Sequence, residues 1–397
     1  MKELGSFVKP TIPAEQIISA DGYRIHTAEK TYIDTMSGLW CTPLGYSVDS
    51  IKNAISEQLN ILPYYNNYFQ TQCKITEQYA DRLCTVTDMD RAYFSLSASA
   101  AVETAVKLAH HKRPTGKCCV FRRSYHGSSV LSGYTSDYDL HSFHKMKSPI
   151  EVYYYEPGMD MTEMSFVLIE PIICAGGVHS HDKTVWLDLL GYQMQGGTVI
   201  FDETVTGFGK TGTMFAKEWT MIEPDIMILG KAITNGYIPF AVTLMKNRLV
   251  PNKTFEHGYT CSGHPVAAAA AMTTLNELNE YEFRDDYMGA FQFDTVKSAL
   301  KFKKAMKKSG YIVELSSSDA TRVVYCLPYI LTEEDREKFF KDVKPNGLST
   351  CNFTNDIVLN FIKSANKYLV FKMGIKPFYL NEEKEIFYVN KFTEFIL

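Results

Sequence analysis

Short apolar runs alternate along the chain with stretches whose apolar positions recur every three to four residues, and this alternation predicts a layered α/β architecture. Thr198 to Phe201, Ile226 to Leu229 and Phe166 to Ile169 lack a polar alternation, so they read as parallel strands buried on both faces. The run AYFS before Leu96, the one ending at Phe121 and PFAVTLM after Ile238 extend the set. Ile51, Ala54, Ile55 and Leu59 share one helical face, which predicts a helix over Asp49 to Leu59. Val102, Ala105, Val106 and Ala109 do the same for a helix that starts near Ser99, with Ser97 or Ser99 as its N-cap. Pro265 opens a third, alanine-rich helix. Tyr23 to Ile33 read as a hairpin turning near Ala28 to Lys30, and Lys- and Glu-rich helices with interspersed strands begin at about Asn279. The expected organisation is an arm and hairpin over 1–45, a large domain over 46–278 and a smaller α+β part over 279–397.

Composition narrows the classes without adding chemistry. A chain of 397 residues with 45% hydrophobic and 13% aromatic content can bury a large core in two or three domains. Its formal net charge of −4 gives no basic footprint for nucleic acid or an anionic membrane. The nine cysteines are scattered without a Cys-x-x-Cys pair, which suits reduced thiols. The first residues lack the apolar core of a secretory signal, and no run has the ~18 apolar residues of a membrane span. The expected location is the cytoplasm.

The informative residues stand at the ends of the predicted strands. Tyr125, Glu170, Asp202 and Lys231 each follow an apolar run, and in open α/β sheets the carboxyl ends of parallel strands border one ligand cleft. An acid and an amine on neighbouring strand ends are what an aldehyde-bearing pyridine cofactor requires: the amine forms a Schiff base and the acid holds the ring nitrogen protonated. Ala98 and Ser99 let the first N–H groups of a helix approach an anion such as phosphate. His126 follows Tyr125 and is a cofactor candidate beside the simpler reading of a hydrogen-bonded loop histidine. His179 and His181 lack a third nearby ligand, so no metal site is expected. GFGKTGT is not a phosphate loop, because Thr204 stands where the pattern needs its first glycine.

Three segments, FDETVTGFGKTG, PDIMILGKAITNG and HGYTCSGHPVAAA, make the chain resemble the class III aminotransferases, the fold type I pyridoxal phosphate (PLP) family that includes ornithine, 4-aminobutyrate and diaminopelargonate aminotransferases. The likeness runs from about Asp34 to Met272. It implies a mostly parallel seven-stranded central sheet sandwiched by helices, plus a smaller α+β domain built from the N- and C-terminal segments. It further implies Lys231 as the Schiff-base lysine, Asp202 as partner of the pyridine nitrogen and Tyr125 as the ring stacked on PLP. Ala98 and Ser99 would bind the phosphate, and Thr260 would reach it from the neighbouring subunit of a homodimer. His126, Glu170, Thr204 and Val205 complete the expected cofactor shell.

Departures from the family pattern bear on the substrate. Ser97-Ala98-Ser99-Ala100 replaces Ser-Gly-Ser-Glu, Thr204 takes the position that packs on the ring face, and Val205 replaces a glutamine that contacts the phenolic oxygen. Ala175 stands where ornithine- and 4-aminobutyrate-type enzymes carry a gateway glutamate. The sequence has no arginine after Arg336, so Lys376 is a candidate for binding a substrate carboxylate; alternatively the acceptor carries no α-carboxylate. Trp40 and Tyr64 are further candidates for the substrate pocket. The expected reaction moves an amino group from an amino donor to an aldehyde, ketone, 2-oxo acid or peptide-linked carbonyl through Lys231 in two half-reactions. An aminomutase or decarboxylating transaminase of the same family is the alternative, and a non-catalytic PLP-binding protein is the remote one.

Overall fold

A computed structural model describes residue 6 and residues 14–137, 147–220 and 222–343, all within one compact unit, 1–352. Three short antiparallel strands come first: β1 (Ser19–Asp21), β2 (Arg24–His26) and β3 (Thr31–Ile33). Helices α1 (Asp49–Ile61) and α2 (Lys74–Thr87) lead to β4 (Arg91–Ser95), α3 (Ala98–Lys112) and β5 (Lys117–Val120). Then follow α4 (Val130–Tyr134), β6 (Glu151–Tyr154), β7 (Phe166–Ile169), β8 (Ile172–Ile173) and β9 (His179–Ser180). Helix α5 (Lys183–Met194) precedes β10 (Val199–Asp202), β11 (Ile226–Leu229) and β12 (Ala241–Met245). The last described elements are α6 (Pro265–Asn279), β13 (Met288–Gln292), α7 (Val296–Ser309), β14 (Glu314–Leu315), β15 (Arg322–Cys326) and α8 (Glu333–Asp342).

The central sheet has seven strands in the order β4-β12-β11-β10-β7-β5-β6. Its pairs are parallel except that β12 runs antiparallel to both β11 and β4, so the sheet is mixed but mostly parallel, as the continuous apolar runs predict. Alternate residues of β11 explain why no polar face is seen. Ile226 and Ile228 pack under α3, with Ala101, Val102, Ala105 and Val106, while Met227 and Leu229 pack on the opposite face with Ala267, Ala268 and Ala271 of α6. Period-two geometry therefore buries every residue of the strand, and each such side chain contributes ~1.5–3 kcal/mol. A smaller antiparallel sheet, β13-β15-β14, lies apart from the central one, and a parallel bridge from Ile33 to Tyr311 ties the N-terminal strands to its side of the chain.

Two helix starts matter for the site. Ser97 caps α3, its side chain accepting from Ala100 N at 3.2 Å, which leaves the N–H groups of Ala98 and Ser99 unclaimed by the cap. Helix α6 begins with Pro265 and carries buried alanines that let it lie close against α1, α2 and the turn after Lys231. No helix among the described residues is long and apolar enough to cross a membrane.

Candidate functional site

The centre of the site is the end of the β10/β11 pair. Asp202 is in register with Ile228 across a parallel ladder that Glu203 extends by donating its N–H to Ile228 O at 3.0 Å. Gly230 and Lys231 follow directly. At Gly230 a Cβ would lie 3.2 Å from Ala98 Cβ and 3.5 Å from Thr204 Cγ2, so Ala98, Thr204 and Gly230 meet in a space that only small groups leave open. Lys231 has φ +47 and starts a 3-10 turn to Thr234, closed by Asn235 at φ +49. The Asn235 side chain accepts from Leu44 N at 3.0 Å and donates to Gly45 O at 2.8 Å, which fastens this turn to the N-terminal loop.

That loop brings in Trp40. Ser37, Gly38, Leu39 and Trp40 all have positive φ, a left-handed turn that costs ~1–2 kcal/mol for each residue with a side chain. Asp34 holds it by accepting from Met36 N at 3.0 Å and Gly38 N at 2.6 Å. The result is an indole whose ring centre lies 4.8 Å from Lys231 Nζ and whose buried Nε1 has no hydrogen-bond partner among the described residues. Strain concentrated beside a reactive amine is the usual mark of a functional segment.

Asp202 is buried and its Oδ2 lies 2.8 Å from His126 Nδ1, while Oδ1 accepts from Thr204 N at 3.1 Å. Burial pushes this carboxyl up, but the hydrogen bond and charge of His126, with Thr204, outweigh it and hold Asp202 below the usual range. It stays an anion. His126 Nε2 and Thr204 Oγ1 are both buried without a hydrogen bond of good geometry among the described residues, and Val205 is buried behind them. Glu170 behaves differently: its oxygens accept from Tyr125 N at 2.9 Å and Cys174 N at 3.1 Å, and burial, reinforced by the Asp202 charge, raises it to about 7. It fixes the backbone that presents Tyr125 and His126. Gly127 comes next at φ +128, where a Cβ would lie 2.4 Å from Ser99 Oγ, so the Tyr125 segment touches the start of α3.

Ala98, Ser99, Tyr125, His126, Glu170, Asp202, Thr204, Val205, Trp40 and Lys231 thus belong to one neighbourhood. Thr260 and Tyr64 do not join it through any described contact. They are exposed and meet each other, Tyr64 Oη donating to Thr260 O at 2.7 Å. Lys376 lies outside the described residues. His179 and His181 are held elsewhere, His179 between Arg322 and Arg123 and His181 with Nε2 2.8 Å from Glu170 O. Burial lowers both to about 4. Among the described residues no group of three or more His, Cys, Asp or Glu side chains could hold a metal.

Three residues were not singled out by the sequence. Asp34 anchors the left-handed turn. Glu203, fully buried, accepts from Ala216 N at 2.7 Å and Lys217 N at 2.8 Å, and Lys210 is buried inside the Gly207–Gly212 turn. The available signal was their place in polar-rich segments flanked by glycine, which does not distinguish a buried charge from an exposed one. Gly209 in that turn has φ +97, and a Cβ there would lie 2.2 Å from Phe283 Cε1, so its glycine serves close packing rather than a phosphate.

Known proteins resemble this chain in sequence and in fold. A family model described as aminotransferase class-III matches residues 16–358. A relative named "Probable gamma-aminobutyrate transaminase 2, mitochondrial" from Oryza sativa subsp. indica is 30% identical over 310 residues, covering 66% of this chain and 62% of its own length. A vanillin aminotransferase from Capsicum annuum is 32% identical over 299 residues, covering 63% and 65%. The chain therefore spans less than two thirds of either relative. Among solved structures, a PMP-bound aminotransferase from Vibrio fluvialis superposes with a TM-score of 0.78 at 21% identity, covering 86% of this chain and 95% of that one, a likeness of fold.

Proposed function

Because the chain belongs to the class-III aminotransferases, we propose that it transfers an amino group from an amino donor to a carbonyl acceptor with PLP as cofactor. The observation that carries this reading is the pairing, on adjacent strand ends, of an Asp202 kept anionic by His126 with the amine of Lys231. The residues fit the group. Asp202 offers an anion for a protonated ring nitrogen, and each of its oxygens retains a lone pair after its one hydrogen bond. At the start of α3 the Ser97 cap takes only the Ala100 N–H, which leaves the Ala98 and Ser99 N–H groups for a phosphate beside the small Ala98 side chain. Tyr125 would lie on one ring face and Thr204 on the other, with Val205, His126 and Glu170 supporting them.

Bound PLP supplies an aldehyde for the amino group and a ring that withdraws electrons from the reacting carbon. Lys231 would hold the cofactor through Nζ and, in each half-reaction, take and return the substrate's proton. Asp202 would keep the ring nitrogen charged, and His126 Nδ1 would keep Asp202 oriented. Trp40, packed against Lys231 Nζ, would exclude water and bound the substrate.

Within this reading the acceptor lacks an α-carboxylate, and an amino acid serves as donor. Two things support that choice: an aromatic wall at Trp40, and Ala175 in place of a gateway glutamate. The name of one relative refers to vanillin, an aldehyde without a carboxylate. The protein would act in the cytoplasm as a homodimer, with Thr260 and the exposed Tyr64, Tyr65 and Phe69 on the shared surface; Phe69 is 91% exposed. The test is to load the protein with PLP and follow its visible absorption as amino donors, then carbonyl acceptors, are added. A band that shifts with donors and returns with aldehydes supports the reading; a protein that takes up no PLP overturns it. Return only with 2-oxo acids overturns the choice of acceptor. Stoichiometric release of a keto product separates transamination from the aminomutase reading.

A further inference from the structure

Helix α7 carries lysines at 297, 301, 303, 304, 307 and 308 and no acidic residue. Its buried side, Ala299, Phe302 and Met306, packs on β14 and β15. The lysines fall into two groups. Lys303 pairs with Glu314, and Lys307 pairs with Glu15. Lys297, Lys301, Lys304 and Lys308 are exposed and have no ion pair among the described residues. Their spacing of four, three and four residues puts them in a single row, within about 60° of the helix circumference and about 16 Å long, opposite the buried side.

This row works against the helix that carries it. Lys297 and Lys301, like Lys304 and Lys308, are like charges at i, i+4, and Lys301 and Lys304 are like charges at i, i+3; both arrangements weaken a helix. Lys297 also stands in the first turn, where the positive end of the helix dipole repels it. Exposed positions do not need lysine for packing, and the chain as a whole has a net charge of −4, so the row does not follow from a basic composition. Beside it, Val296 and Leu300 form an apolar pair one turn apart, 43% and 41% exposed.

We propose that this face of α7 is a docking surface for an acidic helical segment of a partner protein. A helix with carboxylates at i, i+4, i+7 and i+11 presents the same rise and the same single row, and so meets the four lysines in register. An anionic membrane or a nucleic-acid backbone fits less well. Both reward a broad basic surface, and here Glu314 and Glu15, each partly exposed, flank the row on the side of Lys303 and Lys307. Val296 and Leu300 give a partner helix a dry contact that a phosphate backbone has no use for.

The experiment uses the full chain and a fluorescein-labelled, alanine-based helical peptide of about 16 residues, with glutamates at i, i+4, i+7 and i+11 and a leucine pair beside them, read by fluorescence anisotropy. Binding should be saturable and should weaken as salt is raised. Lys297→Gln, Lys301→Gln, Lys304→Gln and Lys308→Gln combined should weaken it by ~10-fold or more. A control combining Lys112→Gln, Lys147→Gln, Lys253→Gln and Lys338→Gln removes the same charge from exposed positions elsewhere and should change binding less than about twofold. A peptide of the same composition with its glutamates spread around the helix should bind ~10-fold more weakly. Absence of saturable binding, an equal loss in the control, or equal binding of the permuted peptide overturns the proposal. Vesicles of phosphatidylcholine and phosphatidylserine and a DNA duplex are titrated alongside; tighter binding of either than of the peptide, lost in the α7 variant, overturns it in favour of that partner. Glutamine is a good helix former, so the combined variant should fold. Should it not, the double variants Lys297→Gln with Lys301→Gln and Lys304→Gln with Lys308→Gln, each expected to weaken binding by ~3-fold, are judged by the same criteria. No step uses the cofactor, so the outcome is separate from that of the function proposed above.

Discussion

Replacing Gly127 by alanine tests whether the small-residue contact between the Tyr125 segment and the start of α3 is as tight as the backbone implies. The new Cβ would lie 2.4 Å from Ser99 Oγ, 2.8 Å from Ser132 Oγ and 2.9 Å from Ser99 Cβ. Neither serine is free to withdraw: Ser132 Oγ accepts from Ser129 N at 3.1 Å, and Ser99 Oγ from Ser128 N at 3.3 Å. Holding a side-chain-bearing residue at φ +128 costs ~1–3 kcal/mol, and overpacking adds a further ~1–3 kcal/mol. Gly127→Ala should therefore lower the unfolding free energy by ~2–6 kcal/mol, read by urea denaturation of the cofactor-free protein. It should also weaken PLP binding by ~10-fold or more, since ~1.4 kcal/mol of displacement at the helix start suffices. Adding Ser99→Gly removes the nearest obstacle at a helix cost of ~0.5–1 kcal/mol, so the double variant should recover part of the packing loss and none of the backbone loss. A Gly127→Ala protein within ~0.5 kcal/mol of the unmutated one would refute the reasoning, as would a double variant no more stable than Gly127→Ala alone.

Three further outcomes are expected. Lys231→Ala should leave no lysine at position 231 to link to PLP, so borohydride reduction followed by peptide mass spectrometry should find the adduct in the unmutated peptide and not in the variant. Asp202→Asn keeps the shape but removes the anion proposed to face the ring nitrogen, and kcat should fall by ~100-fold or more; a fall under tenfold would refute that role. Glu203 is raised to about 7 chiefly by burial, so between about pH 4.5 and 7 the folded protein keeps a proton that the unfolded chain has released. Stability from this group is thus present at low pH and lost as pH rises through 7, by about 3 kcal/mol in all, and Glu203→Gln should flatten that part of the pH dependence of unfolding.

The sequence was most legible where burial is two-sided. Ile226–Leu229 and Phe166–Ile169 are strands over the predicted residues, and the strand ending at Asp202 is displaced by one, from 198–201 to 199–202. Continuous apolar runs leave little choice of register, and parallel pairing brings their carboxyl ends together whatever their separation in sequence. PFAVTLM was legible as a strand but not in direction: β12 is antiparallel, and a strand buried on both faces carries no mark of polarity. The helix caps followed the same logic, with Ser97 rather than Ser99 accepting the capping N–H. What stayed hidden depends on contacts between distant segments. Nothing around His126 signals that its Nδ1 meets a residue 76 positions later, and Trp40 reaches Lys231 only because Asp34 stabilises a left-handed turn that no propensity predicts. Lys210 and Glu203 sit in sequence like surface charges and are buried because a glycine-rich turn folds over them.

The separation between Asp202 and Lys231 depends on backbone rather than on side chains. Asp202 is in register with Ile228, and an extended continuation of β11 would carry the third residue onward ~10 Å further along the sheet. The chain does not continue. Gly230 lets the strand end close to Ala98, the positive φ at Lys231 turns the backbone into a 3-10 turn, and Asn235 ties that turn to Leu44 and Gly45. Helix α6 packs over the same turn, so its position is set from three sides. Thr204 and Val205 follow Asp202 and do not contribute to this brace, beyond the Thr204 N–H that any residue would supply. Substitution at those positions can therefore alter what the site accepts while leaving the spacing of acid and amine intact.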